Sequence, residues 1–383
     1  MQGIKYRKVT KEAEQVFFSL LRNALWDTPI EVPKGFSRWG DVFCLALDQA
    51  AFGLIAKSAI DHSEIIGCIP PAAEKKMKDF LISTMALHIR MNDALTVAVS
   101  TLRKAGVEPV LLKGQGLARN YPLPEYRQCG DIDLYVGAEN YEKAYDALVP
   151  IVKEIDDRSK IWDWMHFDAK MGSVMLEVHY KADYMRSHKS ERLYKEYMSK
   201  GLSEDLCPIR FGDTDVMTPN DNFNAFYVFY HLWRHFTGSG VGLRQFCDWA
   251  CFLHTRAGKL DLQYLKEILD SLNLMEPWKV LGCFLVKDLG LPERDFPFYD
   301  SRYVSKTDKV KKYVLTDGNF GKNLGQSKVK KGKYFLDKFT SFKFHLSRDC
   351  RMFRIFPKHT CLVFWYVFRT GISNVFRDLF KRK

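Results

Sequence analysis

Residues 111–136 read LLKGQGLARNYPLPEYRQCGDIDLYV, and the fold turns on how that stretch is parsed. An apolar run, Val110 to Leu112, stops at Lys113-Gly114-Gln115-Gly116, and a second apolar run follows carrying two acids, Asp131-Ile132-Asp133-Leu134-Tyr135-Val136. Successive side chains of a strand point to opposite faces. Asp131, Asp133 and Tyr135 therefore share one face, while Ile132, Leu134 and Val136 line the other. Asp has poor strand propensity, and like charges two residues apart repel, so this row is poor sheet-building material. A hard divalent cation resolves the repulsion, because Mg²⁺ takes carboxylate oxygens and keeps positions open for water and phosphate.

A third acid strengthens the case. Residues 165–180, MHFDAKMGSVMLEVHY, read as a hairpin turning near Met171-Gly172-Ser173. In its second arm Val174, Leu176, Val178 and Tyr180 face one way, and Met175, Glu177 and His179 face the other. Glu177 repeats the posture of Asp131 and Asp133. Carboxylates on neighbouring strands holding two cations about 3.5–4 Å apart are the arrangement that two-metal phosphoryl transfer uses. Asp168, on the less regular first arm, is the competing acid of that hairpin. The bland alternative is an Asx-turn at the Asp pair and a surface Glu on an edge strand.

Gly114-Gln115, then Asp131-Ile132-Asp133, then Glu177 on a later strand resemble the signature of the DNA polymerase beta superfamily of nucleotidyltransferases. More narrowly, LKGQGLARNYPLPEYRQCGDIDLYV is similar to a largely uncharacterised bacterial nucleotidyltransferase family with Lys-Gly, Tyr-Pro, Arg and Gly-Asp-Ile-Asp landmarks. The resemblance is strong over residues 105–180 and looser over 215–260. It implies an α+β (mixed α/β) fold with a small mixed-sheet palm, a nucleoside triphosphate such as ATP as donor, and Mg²⁺ or Mn²⁺. One departure is Gly114-Gln115, where the superfamily usually has Gly-Gly or Gly-Ser; a serine there would contact a phosphate.

The chain has 383 residues, of which 46% are apolar, enough for a full core and two or three domains. Residues 1–12 contain no apolar core of a secretory signal, and the longest apolar run, Cys361 to Phe368, is too short to span a bilayer. Nine cysteines without a C-x-x-C pair read as reduced core thiols with no disulfide partner, in a cytoplasmic protein. The net charge of +12 is concentrated: residues 301–383 hold 21 Lys+Arg against 5 Asp+Glu, and the first 300 hold 37 against 41. Such a tail is expected either to meet phosphate, on an anionic membrane surface to which the protein is peripheral or on nucleic acid, or to dock its terminal helix on the protein's own core, the reading that the wholly apolar run Leu362 to Phe368 favours slightly.

In chain order, helical stripes predict helices over 11–26, 41–60 and 75–104, an N-terminal helical region (1–104) packing on the palm. The palm (105–217) holds a strand at 108–112, the strand at 131–136, a helix from Tyr141 to Ile155, the hairpin, and one more short strand near Ile209 to Met217. A helical domain (218–290) opens at Thr218-Pro219-Asn220-Asp221 with an aromatic helix over 221–236 and continues with helices at 261–273 and 276–289. Its Arg234, His235 and Arg244 are candidates for the triphosphate or the acceptor, with Asp248 one helical turn from Arg244; His231 and His235 have i, i+4 spacing, but Leu232 replaces the Glu of H-E-x-x-H, which argues against a zinc protease. Residues 290–333 read as a mobile loop, and the basic, aromatic C-terminal region (291–383) ends in an amphipathic stretch, Ile372 to Phe380.

The expected activity is metal-dependent transfer of a nucleoside monophosphate to a hydroxyl or amine acceptor. Asp131, Asp133 and Glu177 hold the ions, and Glu177 also draws the acceptor proton. Lys113, the backbone of Gly114, Gln115 and Gly116, and Arg127 bind the triphosphate. Removing either Asp is expected to leave the fold nearly intact. The rival is a non-catalytic nucleotide- or RNA-binding module that uses the same palm and the basic tail for regulation or assembly.

Overall fold

Seven strands form one mixed sheet in the order β3-β4-β5-β2-β1-β7-β6. They are β1 (Val110–Leu111), β2 (Asp131–Tyr135), β3 (Glu154–Ile155), β4 (His166–Met171), β5 (Val174–His179), β6 (Cys207–Phe211) and β7 (Thr214–Thr218). β2 runs parallel to β5 and β1 parallel to β7, and the remaining neighbours are antiparallel. The computed structural model describes residues 9–185, 188–238, 240–318, 349–362 and 364–365. The Lys-rich stretch 321–333 and the amphipathic stretch 372–380 lie outside these residues.

Helices surround the sheet, among them α1 (Lys11–Trp26), α2 (Trp39–Asp48), α3 (Phe52–Asp61), the single turn α4 (Ser63–Ile66), α5 (Pro71–Lys104), the short α6 (Gln115–Ala118), α7 (Tyr141–Leu148), α8 (His188–Gly201), α9 (Asp221–Thr237), α10 (Leu243–Thr255), α11 (Leu262–Ser271), α12 (Met275–Lys287) and α13 (Thr307–Asp317), with further short helical stretches at 349–353 and 357–362. Local chemistry sets several of these ends. The Thr10 hydroxyl accepts from Ala13 N–H at the start of α1, Pro71 opens α5, and Asn220 Oδ1 accepts from Phe223 N–H to start α9.

Alternation in the strands divides the molecule. Ile132 and Leu134 of β2 and Val174, Leu176 and Val178 of β5 are buried against Leu95, Val99 and Leu102 of α5 and Tyr141, Tyr145 and Leu148 of α7. Each such side chain contributes roughly 1.5–3 kcal/mol on burial, which fixes the strand register and leaves the acidic row on the opposite face. A second, larger cluster joins α1, α2 and α3 to α9, α10, α12 and α13, with Trp249, Trp278, Phe226 and Phe229 fully buried in it.

Five local expectations change. The helix read over 41–60 is two, broken at Gln49-Ala50-Ala51, where Ala50 has φ 53°. The break frees Gln49: its carbonyl accepts from Arg244 N–H at 3.3 Å and its Oε1 from Leu243 N–H at 3.1 Å, so it starts α10. The helix read from 141 to 155 stops at Leu148, because Pro150 cannot continue the hydrogen-bond ladder; residues 154–155 become edge strand β3. The one short strand read near 209–217 is the β6–β7 hairpin, turning at Gly212 with φ 53°. The start of the expected loop carries α13, whose Val310, Tyr313 and Val314 are buried in the larger cluster. Finally, α1, α2 and α3 pack into the helical cluster, which takes in Val110, Leu112, Leu117 and Tyr121 of the palm, while α5 and β1 each contribute to both clusters.

The cysteines also divide. Cys247, Cys251 and Cys283 are buried, whereas Cys44, Cys68, Cys207, Cys350 and Cys361 are exposed, so most are not core thiols. Among the described residues no helix is long and apolar enough to cross a membrane.

Candidate active site

The acidic face of the sheet opens into a cleft of about 300 Å³ between the strands and helices α9 and α10. Asp131, Asp133 and Glu177 all line it, with Lys113, Gly114, Arg127, His166, His179, His231, Arg234, His235 and Arg244 around them. The parallel pairing of β2 with β5 places Asp133 directly beside Glu177, and the antiparallel pairing of β4 with β5 places Asp168 beside Glu177 in turn. One step along, Tyr135 neighbours His179, and His179 neighbours His166. Asp168 therefore lies in the same row, though at 47% side-chain exposure it is the most open of the acids.

Lys113 Nζ lies 2.9 Å from Asp133 Oδ1, and His179 Nε2 donates to the same oxygen at 3.1 Å. His179 Nε2 is also 3.5 Å from Glu177 Oε2. Burial pushes the Asp133 carboxyl up, but Lys113 and His179 outweigh it and hold the group well below the usual carboxylate range. Glu177 follows the same pattern: burial raises it, and the hydrogen bond from His179 brings it below its ordinary value. Burial acts to lower Lys113, yet Asp133, Asp131 and Glu177 together raise it. His179 is likewise raised against burial by its two carboxylate partners. Asp131 differs. Burial, then the charge of Asp133, push its carboxyl up to about 6.

Gly114 explains why a glycine ends β1. Its φ of 59° lies in the left-handed region, and a Cβ there would sit 3.2 Å from the Asp131 carbonyl oxygen. The turn thus presses directly on the start of β2. Gln115 and Gly116 are placed elsewhere. Gln115 is buried, with Nε2 donating to Asn92 Oδ1 at 2.6 Å and Oε1 accepting from Cys129 Sγ at 2.9 Å. The Gly116 N–H donates to Lys113 O, and its Cα packs toward Leu111 and Thr218.

Arg127 borders the cleft but is held by Asp248: Nε donates to Oδ1 at 2.6 Å and Nη2 to Oδ2 at 2.8 Å. Tyr121 OH donates to the same Oδ1 at 2.7 Å, and both ionic partners are buried. Asp248 is thus the partner of Arg127, not of Arg244 one turn before it. Arg244 Nη1 instead donates to Gln128 O at 3.0 Å, beside Gly130 at the mouth of β2. Arg234 Nε lies 2.8 Å from Asp183 Oδ1 at the other wall. His231 lies there, mostly but not fully covered, 3.5 Å from Lys113 Nζ; desolvation and the neighbouring cations hold it far below its ordinary range.

His166, His179, Asp183 and the Arg127 partnership are the parts of the site that the sequence reading gave no role. The alternation of β5 had already put His179 on the Glu177 face. Asp183 and Asp248 had no such signal, because their partners lie 51 and 121 residues away in the chain.

The family model described as "Uncharacterised nucleotidyltransferase" matches residues 37–285. Neither the curated proteins nor the solved structures give a match. The matched span runs from just before α2 into α12 and includes every residue of the cleft. Covering more than half of the chain, it shows that the protein belongs to the uncharacterised nucleotidyltransferase family.

Proposed function

We propose that the protein transfers a nucleoside monophosphate from a nucleoside triphosphate to a hydroxyl or amine acceptor, with a divalent cation in the cleft. The observation that carries this reading is the register that sets Asp133 against Glu177, with Asp131 two residues away on the same face. The donor chemistry fits a hard cation. Three carboxylates converge on one cleft, and the Asp131 carboxyl is pushed up to about 6 because it lacks the compensation that Asp133 has. Asp131, Asp133 and Glu177 would hold Mg²⁺ or Mn²⁺, which when bound neutralises phosphate charge and stabilises the attacking and leaving oxygens.

The chain's own residues supply positioning. Lys113, 18% exposed at the cleft wall, offers its ammonium to a phosphate, and the Gly114 backbone lets that phosphate approach closely. Arg234 and Arg244, on opposite walls, are the guanidinium groups suited to the rest of the triphosphate. Arg127 acts by holding the foot of β2 through Asp248. Glu177, 24% exposed, takes the acceptor proton and becomes neutral, with His179 3.5 Å away fixing its carboxyl.

The test is to incubate full-length protein with each labelled triphosphate, Mg²⁺ and cell extract, and to follow pyrophosphate release and labelled acceptor by mass spectrometry. Transfer that disappears with Asp133→Asn is the expected result. Nucleotide binding without any transfer, unchanged by Asp133→Asn, would make the protein the binding module instead.

A further inference from the structure

The β4–β5 hairpin brings together a second kind of donor set. His166 and His179 are cross-strand partners, with ring centroids 4.8 Å apart, and Glu177 lies two residues before His179 on the same face. His179 Nε2 is 3.5 Å and His166 Nε2 is 3.9 Å from Glu177 Oε2. One donor atom from each of the three residues lies within 4.8 Å of the other two. Among the described residues nothing engages the Nδ1 atom of either imidazole, although both are buried. The neighbouring carboxylates, Asp133 on one side and Asp168 on the other, are thus what orients the rings.

These spacings suit a particular ion. Donors held about 2.0–2.1 Å from a tetrahedral Zn²⁺ lie about 3.3–3.5 Å apart; the two imidazole-to-Glu177 separations, 3.5 and 3.9 Å, are near this, and the whole set, within 4.8 Å, closes with a small shift of the partly exposed His166. Two imidazoles and one carboxylate match the preference of borderline transition metals, whereas Mg²⁺ takes oxygen donors in octahedral geometry. Three protein donors leave a position open for water or a substrate oxygen.

We propose that His166, Glu177 and His179 form a binding site for a transition-metal ion of the Zn²⁺ class, distinct in donor chemistry from the Asp131–Asp133 position. The two positions share Glu177, so the role of this ion in transfer rests on the function proposed above; its binding does not. Sharing Glu177 would make the cleft asymmetric, with an oxygen-lined position on β2 and an imidazole-lined one on the hairpin.

The experiment uses the full chain, free of any histidine tag and stripped of metal, titrated with Co²⁺ without nucleotide. The expected result is one Co²⁺ per chain, with the visible d–d absorption of a tetrahedral ion, displaced by Zn²⁺ and retained in excess Mg²⁺. His166→Ala, whose side chain is only partly buried, should lose the band and weaken Co²⁺ binding ~10-fold or more while its circular dichroism stays unchanged. Asp168→Asn should keep the band, since Asp168 is a neighbour and not a donor. Asp131→Asn should keep Co²⁺ and lose nucleotidyl transfer, which separates failure of this site from failure of the transfer reading. Absence of a tetrahedral band, or a band unaffected by His166→Ala, would overturn the proposal and leave the two imidazoles as hydrogen-bond partners of the acids.

Discussion

Asp133 and Glu177 are register partners on parallel strands, and the His179 imidazole bridges them at 3.1 and 3.5 Å. With Lys113 also 2.9 Å from Asp133, that acid is compensated twice over. Asp131 has no ion pair among the described residues, and this asymmetry sets the response of the protein to losing either acid.

Asp131→Asn is expected to stabilise the metal-free protein. The folded carboxyl is pushed up to about 6 from an ordinary 3.8, so the folded state keeps its proton to higher pH than the unfolded state. Raising the pH from about 4 to about 6 therefore subtracts stability, and the cost persists at neutral pH. Removing the charge should return on the order of 1–2 kcal/mol at pH 7, after allowance for partial exposure, and almost nothing at pH 4. Urea unfolding in chelator at the two pH values measures it. Equal effects at both would place the raised group elsewhere.

Asp133→Asn should do the opposite. It leaves Lys113 and His179 without the anion that compensates their burial, at a cost on the order of 2–3 kcal/mol, less than for a fully buried pair because Lys113 keeps some exposure. Asp133 is depressed when folded, so its contribution is present above pH about 4 and is lost as the pH falls below that. Both Asn variants are expected to lose transfer, with shifts in unfolding midpoint of opposite sign. The sequence alone suggested that neither would disturb the fold, since it could not reveal Lys113 and His179 on one of the two acids.

Arg127→Ala should destabilise the protein by about 3–5 kcal/mol, because it strands buried Asp248. Arg127→Lys should recover only part of this, since an ammonium cannot repeat the two parallel hydrogen bonds. The pair counts above pH about 4, as Asp248 is held below its ordinary value by Arg127 against the effect of burial. A variant of normal stability that binds triphosphate poorly would instead put the guanidinium on the substrate.

What the sequence made legible follows from the range of the forces. Strict alternation over 131–136 and 174–179 set the faces of β2 and β5, because one apolar row must reach the core, and with them the three acids of the cleft. The helix over 11–26 was legible from its apolar stripe. The break at Gln49-Ala50-Ala51 was not, since the contact that Gln49 makes there is with α10, 194 residues away. Arg127 was read as a phosphate ligand for the same reason: a guanidinium before an acidic strand gives no local sign of a partner 121 residues on.

The glycine turn gives the last prediction, and Gly172 supplies its control. Both residues have positive φ, 59° at Gly114 and 60° at Gly172, so alanine at either should cost roughly 1–3 kcal/mol in backbone strain. Only Gly114 is also crowded: its added Cβ would meet the Asp131 carbonyl at 3.2 Å, whereas nothing lies within 4 Å at Gly172. Relieving that contact moves the start of β2 away from Lys113 by a few tenths of an ångström, and the ammonium and the acid row then no longer share one phosphate geometry. Gly114→Ala should therefore weaken triphosphate binding markedly, while Gly172→Ala loses comparable stability and binds normally. Calorimetric titration of both variants with a non-hydrolysable triphosphate and Mg²⁺ measures the difference. Equal affinities in the two would mean that the Lys113-Gly114 turn shapes the strand and takes no part in holding phosphate.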